Sequence, residues 1–212
     1  MKVVEFLVLF AVLPTLVYLS RFRLPPLPML WVLTAYCLWM LSRHGNLDAV
    51  RLNPAGLLRQ LPSILPLFLL FALILTGLIH RYVPDDLFGF VRSHPKLWAL
   101  LMVGYPLLSV YPQGIIYRAF FFERYRTVFP SLWLMIFMSA AAFAYVHIVF
   151  RNWFAVVLTI PGGVIFAIRY AHTGSLFISC FEHALYGCWL FTVGMGKWFV
   201  SDARLRRLVS AK

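Results

Sequence analysis

The stretch SLWLMIFMSAAAFAYVHIVF, residues 131–150, decides the fold. It carries no Lys, Arg, Asp or Glu. A run of about 20 apolar residues, wound as a helix, matches the thickness of a bilayer's hydrocarbon. Its apolar residues are continuous rather than alternating, which argues against a strand with one wet face. In lipid no water reaches the backbone, so its polar groups must be satisfied inside helices or a closed barrel. Long unbroken runs point to helices.

The same pattern repeats along the chain. About seven segments approach the ~20 residues a span needs, over roughly 3–20, 27–42, 63–82, 97–112, 131–150, 153–172 and 175–200. The segments 27–42 and 97–112 are short, which suggests tilted or partly interfacial helices. The first, MKVVEFLVLFAVLPTLVYLS, resembles a signal peptide in charge and apolarity. It lacks a clear small-residue cleavage site and more spans follow, so it reads as a retained first span. The 212 residues are 62% hydrophobic with a mean hydropathy of +0.84, against about 45–50% apolar for a soluble domain. The expected architecture is an all-α polytopic membrane bundle of about seven helices with a polar intramembrane pocket. It forms one integral membrane domain. Residues 1–96 read as accessory spans, 97–200 as a core holding nearly all the intramembrane polar groups, and 201–212 as a basic tail.

The net charge is +12, from 19 Lys+Arg against 7 Asp+Glu. These basic residues lie singly between apolar runs, which is the pattern of anchoring to a lipid bilayer and of orientation. No basic stripe is interleaved with polar readout residues, which argues against nucleic acid. Arg204, Arg206 and Arg207 after the last run favour a cytoplasmic C-terminus. Cys37, Cys180 and Cys188 have no metal-ligand or disulfide spacing.

Charged and imidazole groups at membrane depth are expensive, so each is a functional candidate. Four stand out: Arg118, His147, Glu182 and His183. His147, in AAAFAYVHIVFRNW, has Phe143 one helical turn earlier on the same face. Alone, such a histidine is more often a buried hydrogen-bonder than a catalyst. His183, in SCFEHALYGCW, lies on another small-residue helix that packs closely. Two facing imidazoles can share a water, bind a metal or stabilise an oxyanion. Arg118 is flanked by Ile115, Ile116, Tyr117, Ala119 and Phe120, which sets it deeper than Arg124 and Arg126. Glu182 is its expected charge partner, because neither charge is cheaply left unpaired in hydrocarbon. Pro161-Gly162-Gly163 reads first as a kink or close helix contact, and second as a widened backbone beside a cleft. No phosphate loop, HExxH or GxSxG occurs. A transporter-like or lipid-handling protein fits the helix count, but no inverted repeat supports it.

Three short motifs, QGIIYR (113–118), FAYVH (143–147) and HALYG (183–187), follow in that order on successive apolar segments. Together they resemble the CAAX prenyl protease and bacteriocin-processing family, also called CPBP or ABI, of membrane endopeptidases. Its pattern is EExxxR, FxxxH and HxxxN. The resemblance covers roughly residues 97–200. Through HIVFRNW, GGVIFAIRYAHTGSL and HALYGCWLFTVGMG it extends to one bacterial branch, which implies a bacterial inner membrane.

The family's glutamate, helped by the FxxxH histidine, is thought to activate a water. The last motif's histidine and asparagine would stabilise the oxyanion, and the arginine would hold the site together. A divalent metal such as zinc is a possible cofactor, with His147 and His183 as the candidate ligands here. The substrate would be a membrane-associated peptide or protein. Arg118, Phe143, His147 and His183 match the pattern. Gln113 and Gly114 stand where the two glutamates would be, and Gly187 stands where the asparagine would be. Against the bacterial branch, the losses are Gly114 and Cys188.

Glu123, nine residues past Gly114, points to the opposite face more than two turns away, at ~100° and ~1.5 Å per residue. Glu182 is the better substitute acid. Two readings therefore stay open. One is an endopeptidase in which His147 is the base assisted by Glu182, with His183 and Gln113 as oxyanion donors. The other is a divergent pseudoenzyme that uses the same cleft as a scaffold for peptides or partner membrane proteins.

Overall fold

The computed structural model describes residues 1–19 and 26–199. The basic tail at 201–212 lies outside the described residues. The long helices are α1 (Lys2–Leu19), α2 (Pro26–Arg43), α3 (Leu57–Tyr82), α4 (Pro95–Tyr125), α5 (Leu132–Phe150), α6 (Trp153–Thr173) and α7 (Leu176–Thr192). Five of them, α1 and α3 to α6, are long and apolar enough to cross a membrane. α2 matches α1 in length with 18 residues but is less apolar, and α7 has 17. No strand occurs among the described residues. The protein is an all-α polytopic bundle, and its outward leucines and isoleucines, such as Leu69, Leu70, Leu73 and Ile74 on α3, remain exposed. That is the surface of a protein whose solvent is lipid.

Local sequence sets the helix ends. Asn152 caps α6 by accepting from the Phe154 N–H at 3.0 Å. Gly174 ends α6 with φ at +61°, and its N–H returns to the Tyr170 carbonyl. This is a left-handed stop that glycine adopts without a Cβ penalty. Ser175 then caps α7 by accepting from the Ile178 N–H at 3.3 Å. One short turn, Gly174-Ser175, thus reverses the chain and sets α6 beside α7.

α4 departs from the expected span at 97–112. It runs for 31 residues, so YPQGIIYRAFFFERY lies within this helix instead of following it. Two widened turns of π type, Pro106–Val110 and Ile115–Phe120, flank the short piece Tyr111–Gly114. Pro106 has no N–H to give, and the Tyr111 N–H reaches back five residues to the Pro106 carbonyl. Such bulges often occur at functional sites. Gly114 to Phe121 are all buried, so this part of α4 is enclosed on every side and forms the axis of the bundle.

α1 is part of that packing. Phe6 and Phe10 meet Phe121 and Tyr125 of α4 with ring centroids 5.3–6.0 Å apart. The Arg124 guanidinium donates to both oxygens of Glu5 at 2.9 and 2.7 Å. Near the other end of α1, the Tyr145 and Thr15 hydroxyls are 2.7 Å apart and Arg151 stacks over Tyr18. The helix that resembles a signal peptide is therefore clamped at both ends.

Candidate functional site

Gln113 on α4, His147 at the end of α5, and His183 on α7 line one cavity of about 160 Å³. Phe143, Pro161, Gly162 and Phe166 line it too. The proline-glycine pair thus borders the cavity, but without a widened backbone, since α6 is regular from Trp153 to Thr173. Gly163 instead follows the packing reading: a Cβ there would come within 3.1 Å of the Ala140 backbone on α5.

The regular helical part of α5 ends at Val146, and a tighter turn begins at His147. The Nδ1–H of His147 donates to the Phe143 carbonyl at 2.7 Å. A carbonyl only accepts, so Nδ1 carries the proton and Nε2 is left as the acceptor nitrogen. The His183 ring stacks on Phe166 with centroids 4.5 Å apart, and its Nε2 lies 3.4 Å from the Tyr105 hydroxyl. Both imidazoles meet the Phe143 ring edge-on, at 4.9 and 5.4 Å. Phe143 is therefore the spacer between the two histidines. The Gln113 amide nitrogen donates to the Ser109 hydroxyl at 2.7 Å.

Arg118 and Glu182 do not line this cavity, nor do they pair as expected. Arg118 is fully enclosed, with its guanidinium carbon 4.4 Å above the Phe143 ring and 5.5 Å from Phe166. Its Nε, Nη1 and Nη2 have no hydrogen-bond partner among the described residues. Glu182 belongs to Arg169 of α6, which donates to it at 2.7 and 3.3 Å. Arg169 also donates to Gln60 and Ser63 of α3, at 2.6 and 2.9 Å. Glu182 follows Arg169 because successive residues on a helix point ~100° apart. With His183 turned to the cavity, Glu182 is turned out of it.

Glu123 accepts from Asn46 at 3.0 Å and lines a separate cleft of about 610 Å³, beside Asp48, Arg126 and Tyr170. None of the matched motif residues reaches that cleft.

Two positions of the missing groups, Gly114 and Gly187, are sterically closed, while Gln113, the other glutamate position, opens on the cavity. A Cβ at Gly114 would overlap Cys180 and come within 3.0 Å of Leu176. A Cβ at Gly187 would fall on the Tyr105 ring, 2.6 Å from Cζ. No carboxylate lines the cavity among the described residues. Zinc does not fit the donor set: its protein sites use three or four ligands, and no group of three or more His, Cys, Asp or Glu is placed to hold a metal among the described residues.

Tyr105, Ser109 and Tyr186 also line the cavity, and sequence reasoning passed over them. A signal for two of them existed, because Ser109 and Tyr105 lie four and eight residues before Gln113, on one helical face. Nothing local marks Arg169, Gln60 and Ser63 as the partners of Glu182.

No curated protein and no solved structure matches this chain. Residues 94–189 match the Rce1-like family, described as type II CAAX prenyl endopeptidase Rce1-like. QGIIYR, FAYVH and HALYG all fall inside that segment. The match over this segment supports the CPBP family of CAAX-protease-like proteins, in a chain whose apolar helices mark an integral membrane protein.

Proposed function

We propose that this protein is a catalytically degenerate CAAX-protease-like membrane protein that holds a membrane-proximal peptide segment in the cavity between α4, α5, α6 and α7. The observation that carries this reading is a cavity with both motif histidines and, among the described residues, no carboxylate. A positioned general base typically contributes 10²–10⁴-fold to a hydrolysis. Here the acid position is Gly114, whose space Cys180 and Leu176 fill, and Glu182 is committed to Arg169. What remains suits recognition. Two imidazoles, two phenols, an amide and Ser109 stand in a wall of Phe71, Phe150, Phe191 and Phe199. The volume is below the about 300–1,000 Å³ of a pocket for a drug-sized ligand, and it suits one residue of an extended chain. By the branch resemblance, the setting is a bacterial inner membrane.

A second reading is favoured by one observation. The His147 Nδ1–H is held by the Phe143 carbonyl, which leaves Nε2 as a base able to take a proton from water. In that case the protein is a slow endopeptidase.

The test uses the full-length protein in liposomes with a library of membrane-tethered peptides, scoring retention and cleavage together. The expected result is retention without cleavage, with retention weakened in His147→Ala and His183→Ala. Cleavage by wild type that disappears in His147→Ala would replace this reading with the second. Neither retention nor cleavage would remove both.

A further inference from the structure

The glycine at position 187 and the tyrosine at position 105 are shaped for each other. Gly187 is buried on α7, one turn after His183, and both residues line the cavity. The space a side chain at 187 would enter is filled by the Tyr105 ring and hydroxyl. Tyr105 reaches it from α4, just before Pro106 opens the first widened turn. Its ring stands edge-on to His183 (88° between planes) and to Phe191, 5.2 Å away. Its oxygen is 3.4 Å from His183 Nε2. A residue on a different helix thus places a polar group where the family motif would carry an amide. The sequence motif reads as a loss at 187, while the cavity keeps a donor at nearly the same point.

Resting on the peptide-binding reading above, we propose that Tyr105 is the ligand-binding donor of this cavity, with its hydroxyl taking a backbone carbonyl of the bound peptide. His183 donates its Nε2–H to the Tyr105 oxygen, and the Tyr105 O–H is then free to donate to the carbonyl. Each bond in such a chain polarises the next. Gly187 is required because any Cβ there displaces the phenol. No bond is made or broken.

The test uses the full-length protein in lipid nanodiscs, with Gly187→Ala, Tyr105→Val, their combination, and Tyr105→Phe. Three readouts are taken: thermal unfolding, ¹⁵N spectra of the histidine rings, and affinity for an acylated peptide retained by wild type. Gly187→Ala should lower the unfolding temperature alone and have little effect in the Tyr105→Val background. Tyr105→Phe should unfold like wild type, shift the His183 nitrogen resonances, and weaken the peptide about 5–10-fold, the loss of one hydrogen bond.

Wild-type affinity with unchanged His183 resonances in Tyr105→Phe overturns the proposal and leaves the peptide-binding reading standing. Equal destabilisation by Gly187→Ala in both backgrounds overturns the pairing. If wild type retains no peptide, the binding role falls with the peptide-binding reading.

Discussion

Two arginines of one bundle, the buried Arg118 and the partly buried Arg169, are held in opposite ways. Arg169 has a carboxylate, an amide oxygen and a hydroxyl within 2.6–3.3 Å. Arg118 lies against the faces of Phe143 and Phe166, with no hydrogen-bond partner among the described residues. A cation over an aromatic face gains about 0.5–2 kcal/mol, well short of what burying a charge costs. The contrast locates the missing counter-charge at Arg118. Arg118 sits one turn beyond Gly114, at the i,i+4 spacing where a carboxylate would meet it. Arg169 holds Glu182 instead, and with Gln60 and Ser63 ties α3, α6 and α7 together. The polar cluster that is intact is a clamp, and the cluster that keeps the family's pattern has lost its counter-charge.

The largest effect should come from breaking the intact cluster. Glu182→Ala leaves Arg169 without its carboxylate, and should lower unfolding stability in detergent by about 3–5 kcal/mol. A loss below about 1 kcal/mol would remove the distinction between the two arginines. Arg118→Met should move the other way. Replacing an unpaired buried charge with an apolar side chain of similar length should leave stability unchanged or raise it by about 1–4 kcal/mol, read by the same denaturant titration. A marked loss would mean that Arg118 has a partner in the membrane.

A third variant would make the two sites alike. Gly114→Glu in a background of Cys180→Ala and Leu176→Ala supplies the missing carboxylate and removes both side chains that close its space. It should be about 1.5–3 kcal/mol more stable than the Cys180→Ala, Leu176→Ala background alone, the worth of a charged hydrogen bond. The smallest effect belongs to the pair near the bundle's end. Glu5 and Arg124 are only partly buried, so Glu5→Gln should cost less than about 1 kcal/mol. High salt should narrow that difference and leave the Glu182→Ala effect in place.

Much of this molecule was legible in the chain. The apolar runs placed the helices, because hydrocarbon thickness and the backbone's need for internal hydrogen bonds leave few alternatives. The motif order drew Gln113, His147 and His183 into one place, since each sits on a small-residue or bulged helix that packs closely. The length of α4 was read too short, because Gln113, Arg118, Glu123, Arg124 and Arg126 look like the end of a span. Enclosed within the bundle, Gln113 and Arg118 do not end the helix. The partner of Glu182 was also misassigned. Sequence shows which charges need partners, but Gln60, Ser63 and Arg169 come from helices whose facing is set by packing.

By itself, then, the sequence determined an all-helical membrane protein with a CAAX-protease-like segment whose acids are gone. That information is carried by residue type and spacing along the chain. Only the tertiary structure decided which arginine receives Glu182, that Cys180 and Leu176 close the space at Gly114, and that Tyr105 fills the space at Gly187. These depend on how each helix is rotated about its axis, and that rotation is set by contacts between residues as far apart as Tyr105 and His183.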